Sequence, residues 1–257
     1  MRSKALAVWL AAVPALLCAQ EALPKVEEIM DRYLAVTGGR EAYESRRNEV
    51  RKATVEVVGR DLRFTATTYR AAPGKSYGIT DIPEVGKVEE GTDGEVAWSL
   101  TAARGPVIKE GFERDMALYG ATLDAELRWR EFFTSAQTAG LEEINGRPCY
   151  KVLLRWGEGN EQTRFYDKET GFVTKLVMRV KLPRGQFSME ISFQDYRSAG
   201  GVLQPHKTAV KFPGQELVST LESVETNVEI EPARFALPEP VKALLAKPRG
   251  PAAGEPK

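Results

Sequence analysis

The stretch FSMEISF, Phe187 to Phe193, alternates without a break. Phe187, Met189, Ile191 and Phe193 fall on one side, and Ser188, Glu190 and Ser192 on the other. Successive side chains of a strand point to opposite faces, so this segment reads as a strand with one oily and one wet surface. The same lopsidedness recurs upstream. From Phe172 to Leu182 one side carries Phe172, Thr174, Leu176, Met178, Val180 and Leu182, against Val173, Lys175, Val177, Arg179 and Lys181. In CYKVLLRW, Tyr150, Val152, Leu154 and Trp156 oppose Cys149, Lys151, Leu153 and Arg155. An antiparallel sheet with one face covered and one solvated has this pattern.

Working outward, tight turns separate such strands. Asn145-Gly146 and Asp93-Gly94 are hairpin dipeptides, because both turn positions demand positive φ. Further turns at Asp167 to Gly171, Gly200-Gly201 and Pro213-Gly214 add to the series. Between Glu49 and Leu100 run VRKATVEVVG, LRFTATTYR, KSYGITDI, GKVEEGTDG and EVAWSL. Together they predict about ten or eleven strands in an antiparallel meander.

Helical spacing takes over in three places. LPKVEEIMDRYLAVTGG aligns Leu23, Val26, Ile29, Met30, Tyr33 and Leu34, with Pro24 in the first turn and Gly38-Gly39 as a stop. REAYESRRN adds a short second helix. FERDMALYGATLDAELRWREFF spaces Phe112, Met116, Leu118, Leu123, Leu127 and Phe132 for one or two helices, with Asp124 as N-cap of the second. EPVKALLAK predicts a terminal helix. The fold class expected is mainly β (α+β), a single curved antiparallel sheet forming a half-open barrel, its concave face covered by helices.

The N-terminus, MRSKALAVWLAAVPALLCAQ, sets Arg2 and Lys4 before an apolar run from Ala5 to Leu17. This is the layout of a secretory signal peptide. The run, about 13 residues, falls short of the ~20 that span a bilayer. The expected organisation is a signal peptide over 1–19, one domain over 20–246 and a disordered Pro/Gly-rich tail over 247–257, placing the mature chain in the periplasm. Cys18 offers the alternative of an outer-membrane lipoprotein, although Leu17 is not the small residue wanted before a lipidated cysteine. Without lipidation Cys149 is the sole cysteine of the mature chain, so no internal disulfide forms.

The 257 residues carry 36 basic and 36 acidic groups; without the first nineteen, 34 stand against 36, a net of −2. That balance, with no basic block, argues against nucleic acid and against an anionic membrane surface as partners. His206 is the only histidine. A multi-histidine metal site is therefore excluded, and any Ser-His-Asp or Cys-His device must run through His206, which shows no adjacent acid. VTGGR closes a helix instead of opening one after a strand, the wrong context for a phosphate loop. Glu89-Glu90 and Glu142-Glu143 place neighbours on opposite faces, and Tyr166-Asp167 reads as turn chemistry. No catalytic residue, cofactor or metal is expected.

What remains is apolar surface. Phe64, Trp98, Trp156, Phe187, Met189, Ile191 and Phe193 are expected on the concave side, and Val152, Leu154 and Met178 on the covered faces beside them. Two readings stay open: a core filled by the helices, or a sheet too wide to be filled, leaving a pocket for acyl chains.

The order of features resembles the LolA-like family of periplasmic outer-membrane lipoprotein-sorting proteins and their envelope relatives. The resemblance rests on YRAAPGK, GTDGEVAW, an internal helical insertion, INGRPCYKV, FYDKETG and EPARFALP, following an export signal and a helix pair. It spans roughly Val26 to Pro238. It implies a half-open barrel with helices as a lid over a hydrophobic cavity that holds lipid or lipoprotein acyl chains, with an envelope membrane protein as a possible delivery partner. By position, Trp98 matches the aromatic after the Asp-Gly hairpin and Pro73 the proline ending the earlier strand. Arg70, Met116 and Leu127 are the lid or rim candidates. The family places an arginine directly before the proline to hold the lid closed; here that residue is Ala72, and Arg70, on the same strand face, is the candidate substitute. A membrane-embedded β-barrel, a ligand-free accessory envelope domain and an esterase built on His206 are the rival readings.

Overall fold

Alternating segments joined by glycine-rich turns pair most readily with their sequence neighbours, and they do so here at every connection but one. The computed structural model describes residues 22–182 and 185–247. The expected signal peptide, Cys18 and all but the first residue of the expected tail lie outside the described residues.

Among the described residues thirteen strands form one antiparallel sheet. The first six are β1 (Asn48–Val57), β2 (Arg63–Ala71), β3 (Lys75–Ile82), β4 (Gly86–Thr92), β5 (Ala97–Thr101) and β6 (Gly105–Ile108). The second seven are β7 (Ser135–Ile144), β8 (Arg147–Trp156), β9 (Asn160–Asp167), β10 (Val173–Leu182), β11 (Gly185–Ala199), β12 (Val202–Phe212) and β13 (Gln215–Thr226). The order is β6-β5-β4-β3-β2-β1-β13-β12-β11-β10-β9-β8-β7. The chain therefore winds outward from β1 to one edge, crosses to the opposite edge, and returns so that β13 zips onto β1. The count exceeds the ten or eleven expected. GPVI, the short β6, carries no alternation and was not foreseen.

β6 and β7 end the sheet without pairing to each other, so the barrel stays half open. Register shifts between Lys52 and Ala53, Thr138 and Gly140, and Val173 and Lys175 mark bulges, and bulges bend strands and increase twist. The bending leaves one face concave.

Among the described residues five α-helices accompany the sheet: α1 (Val26–Thr37), α2 (Gly39–Glu44), α3 (Gly111–Ala121), α4 (Trp129–Phe132) and α5 (Glu239–Leu245). α1 stops at Gly38, whose φ of 142° suits glycine and whose N–H reaches the Leu34 carbonyl. α3 and α4 occupy the crossing from β6 to β7. Asp124 does not cap α4. That helix is a single turn beginning at Trp129 behind Arg128, and residues 123–128 form turns.

The core has two centres of weight. On the concave side, Val26, Ile29 and Met30 of α1 meet Val152, Leu154, Trp156, Tyr166, Leu176, Met178 and Val180 together with Trp129 and Phe133. This half, β7 to β11, is packed largely by α1 and the crossing segment. On the convex side Tyr69, Tyr77 and Trp98 form a row of rings at 6.0 and 6.3 Å. Arg234, in the 3-10 turn Pro232–Phe235, lies over Tyr69 and Tyr77. α5 packs beside β6.

Candidate functional site

Direct pairing partners share a face, and the ladder Thr68–Gly78–Glu90–Ser99–Val107 runs across β2 to β6 on the concave side. Facing it is α3. Between them lies a cavity of about 670 Å³, within the range that holds a small molecule or chain. Its apolar wall is Val88, Val107, Phe112, Met116, Met178 and Met189. Thr68, Ser76, Ser99, Thr101, Arg104, Lys109 and Glu113 make the rest polar, and Lys109 pairs with Glu90 at 2.6 Å.

Of the ten expected lining residues, Met178 and Met189 border this cavity. Val152, Leu154 and Trp156 face the same side but are buried under α1 and the crossing segment. Trp156 stands 6.0 Å from Phe112 and 5.8 Å from Phe133, ring to ring. Phe187, Ile191 and Phe193 are half-buried against that packed half. Phe64 shares the face of Thr68 and is half-buried away from the main cluster.

Trp98 requires a correction. It pairs with Gly91, which pairs with Tyr77, so it lies on the convex face, opposite the cavity. A Cβ on Gly91 would stand 3.2 Å from the Trp98 ring and 2.4 Å from the Ser76 carbonyl oxygen. Glycine at this position lets the indole lie flat across β4. Aromatic character alone does not tell which face of a short strand is concave.

Arg70 and Met116 border the cavity. Leu127 does not; it packs with Leu34, Tyr43 and Val202. Arg70 Nη1 donates to the carbonyl of Gly120 at 2.9 Å, tying the end of α3 to the sheet. Its Nε donates to Glu49 at 2.7 Å. Glu49 has no exposed surface and also pairs with Arg46, while Arg51 approaches to 3.6 Å. Burial opposes the Glu49 charge, but Arg70, Arg51 and Arg46 outweigh it and hold the carboxyl below its ordinary value.

Sequence reading missed a second clasp. Arg164 on β9 donates to Glu126 at 2.7 Å, to the Tyr119 hydroxyl at 2.6 Å and to Gln162 at 2.7 Å. Tyr119 in turn donates to Glu126 at 2.8 Å. Burial works against the Arg164 charge, yet Glu126 and the neighbouring tyrosines drive its pKa well up. Tyr166 belongs to this core, edge-on to Tyr33 at 5.8 Å, instead of to the turn. Asp167 does serve the turn, accepting from the amides of Glu169 and Thr170.

The pairs of reactive groups weighed from the sequence stand apart among the described residues. Cys149 on β8 and His206 on β12 stand four strands apart, roughly 19 Å along the sheet. Glu89 accepts from Tyr77 on one face while Glu90 meets Lys109 on the other. Among the described residues no three His, Cys, Asp or Glu gather as a metal site, and no helix is long and apolar enough to cross a membrane.

No family model and no curated protein sequence matches the chain. Solved structures do. A LolA superfamily protein from Nitrosomonas europaea superposes with a TM-score of 0.58 at 11% identity, covering 84% of this chain and 99% of that one. The fold is LolA-like. A second LolA-like match, an outer membrane lipoprotein-sorting protein domain from Vibrio parahaemolyticus, gives a TM-score of 0.53 at 11% identity over 81% and 94% of the two chains. A DUF1329 family protein from Desulfovibrio piger gives 0.55 at 15% identity over 82% and 97%. At such identities the likeness speaks for the LolA-like architecture alone.

Proposed function

We propose that this is an exported, periplasmic envelope protein that binds a hydrophobic ligand, the acyl chains of a lipid or lipoprotein, without catalysing a reaction. The observation that carries the reading is the space beneath α3: about 670 Å³, floored by Met178 and Met189 and roofed by Phe112 and Met116. Methionine and aromatic side chains adapt to chains of varying shape. The LolA-like fold and the lipoprotein-sorting description of the Vibrio parahaemolyticus domain favour acyl chains, and hand-over to an envelope membrane partner fits the same reading. Arg70, through Gly120, is the proposed latch on the α3 lid.

Organic extraction of the purified protein, followed by mass spectrometry, tests this. Co-purifying lipid is expected at near one chain set per protein. Met189→Glu, which sets a charge on the cavity floor, should reduce that yield about ten-fold or more. A folded wild type that yields none, and takes up no fluorescent fatty acid, refutes the reading. The solid packing of Val152, Leu154 and Trp156 favours the second reading, an accessory envelope domain with no ligand, and that negative result would select it.

A further inference from the structure

Between the large cavity and the half packed by α1 lies a smaller hollow of about 200 Å³ on the concave faces of β1, β2, β12 and β13. Thr68 borders both spaces, so they adjoin. Arg51, His206, Thr208, Ser219 and Leu221 complete most of its wall.

The charge cluster beside it, which reaches the wall through Arg51, is unbalanced. Arg46, Arg51 and Arg70 converge on the single carboxylate of Glu49, an excess of two positive charges. Arg46 and Arg70 take the close positions. Arg51 remains 3.6 Å from the carboxylate and makes its short hydrogen bond, 2.7 Å, to the neutral Gln204. Burial and the adjacent Arg70 lower its pKa to about 10, as befits a cation short of counter-charge. The Nε2 atom of His206 is buried with no hydrogen-bond partner. A half-buried cation short of counter-charge and an orphaned imidazole nitrogen both cost free energy that an anion would offset.

We propose that this hollow is an anion subsite, taking the carboxylate or phosphate of an amphiphile whose tail lies in the large cavity. Arg51 supplies the charged donors, His206 Nε2–H a further one, and the hydroxyls of Thr68, Thr208 and Ser219 close the shell. The placing of the tail rests on the acyl-binding reading; the anion subsite does not.

Calorimetry on delipidated protein with decanoate, decanol and inorganic phosphate separates the two. Decanoate should bind roughly ten-fold tighter than decanol, the worth of one or two charge-assisted hydrogen bonds. Arg51→Gln should erase that preference and leave decanol affinity unchanged, since Arg46 and Arg70 still neutralise Glu49. His206→Phe, away from the Glu49 cluster, should weaken the preference as well. Phosphate that competes with decanoate in wild type and not in Arg51→Gln supports the subsite and marks it as open to the free anion. Phosphate binding of that kind with neither amphiphile bound supports the subsite while removing the acyl reading. Equal affinity for decanoate and decanol, or a preference that survives in both folded variants, overturns the subsite and leaves the acyl reading standing. Binding of none of the three probes overturns both.

Discussion

Glu49 is ionised with no exposed surface because three arginines surround it. Its carboxyl titrates below the ordinary 4.5, so the stabilisation it confers is full above that value and drains away as pH falls beneath it. Acid unfolding curves should therefore fall steeply below about pH 4.5, and Glu49→Gln should flatten that limb. The same substitution leaves three guanidinium groups facing a neutral amide, at a cost of about 3–5 kcal/mol at neutral pH, measurable by urea denaturation. Gly91 matters for a different reason. An alanine there drives its methyl against the Ser76 carbonyl and the Trp98 ring, and overpacking of this kind costs about 1–3 kcal/mol. Near-ultraviolet circular dichroism and a thermal melt should register both the loss and the displaced indole. Neither residue announces itself in the sequence: EVRK reads as an ordinary strand start, and GTDG as a hairpin.

The crossing from β6 to β7 is the element on which the site depends. It is held from both halves of the sheet, by Arg70 through the Gly120 carbonyl and by Arg164 through Tyr119 and Glu126. Glu126→Gln removes the counter-charge of Arg164, and amide hydrogen exchange across residues 119–133 should accelerate while the sheet amides stay protected. Unchanged exchange would show that packing of Trp129 and Phe133 alone holds the segment. The sequence made the helical character of FERDMALYGA plain, since its apolar residues recur at helical spacing. Asp124 misled because a capping residue acts only where a helix follows at once, and here the turns continue to Arg128. Arg164 was invisible to periodicity. A buried arginine is tolerated only by partners brought from 38 and 45 residues away.

At the scale of the molecule, a ligand that binds only the folded state stabilises it by mass action. A chain amphiphile at one hundred times its dissociation constant should add about 2.7 kcal/mol, raising the melting temperature by roughly 5–10 °C for a chain of this size. Delipidation should reverse the shift, and a melt indifferent to both would argue for a ligand-free domain. The two halves of the sheet also differ in a way the strands already record. β8, β10 and β11 carry Val, Leu, Met and Phe on the concave face, whereas β2 to β5 present Thr68, Ser76, Glu90, Ser99 and Thr101. That contrast could have located the cavity on the less oily half, where the face gives a helix too little to grip.

By itself the sequence determined the alternation, the turns and the helices, and with them an open antiparallel sheet having one covered face. These are local matters, set by side-chain period and by which residues accept positive φ. Only the tertiary structure decided which face of β5 is concave, which half of the sheet is filled by α1, and which arginines meet at Glu49. Those outcomes depend on bulges that bend the strands and on contacts between residues far apart in the chain, and no local pattern encodes them.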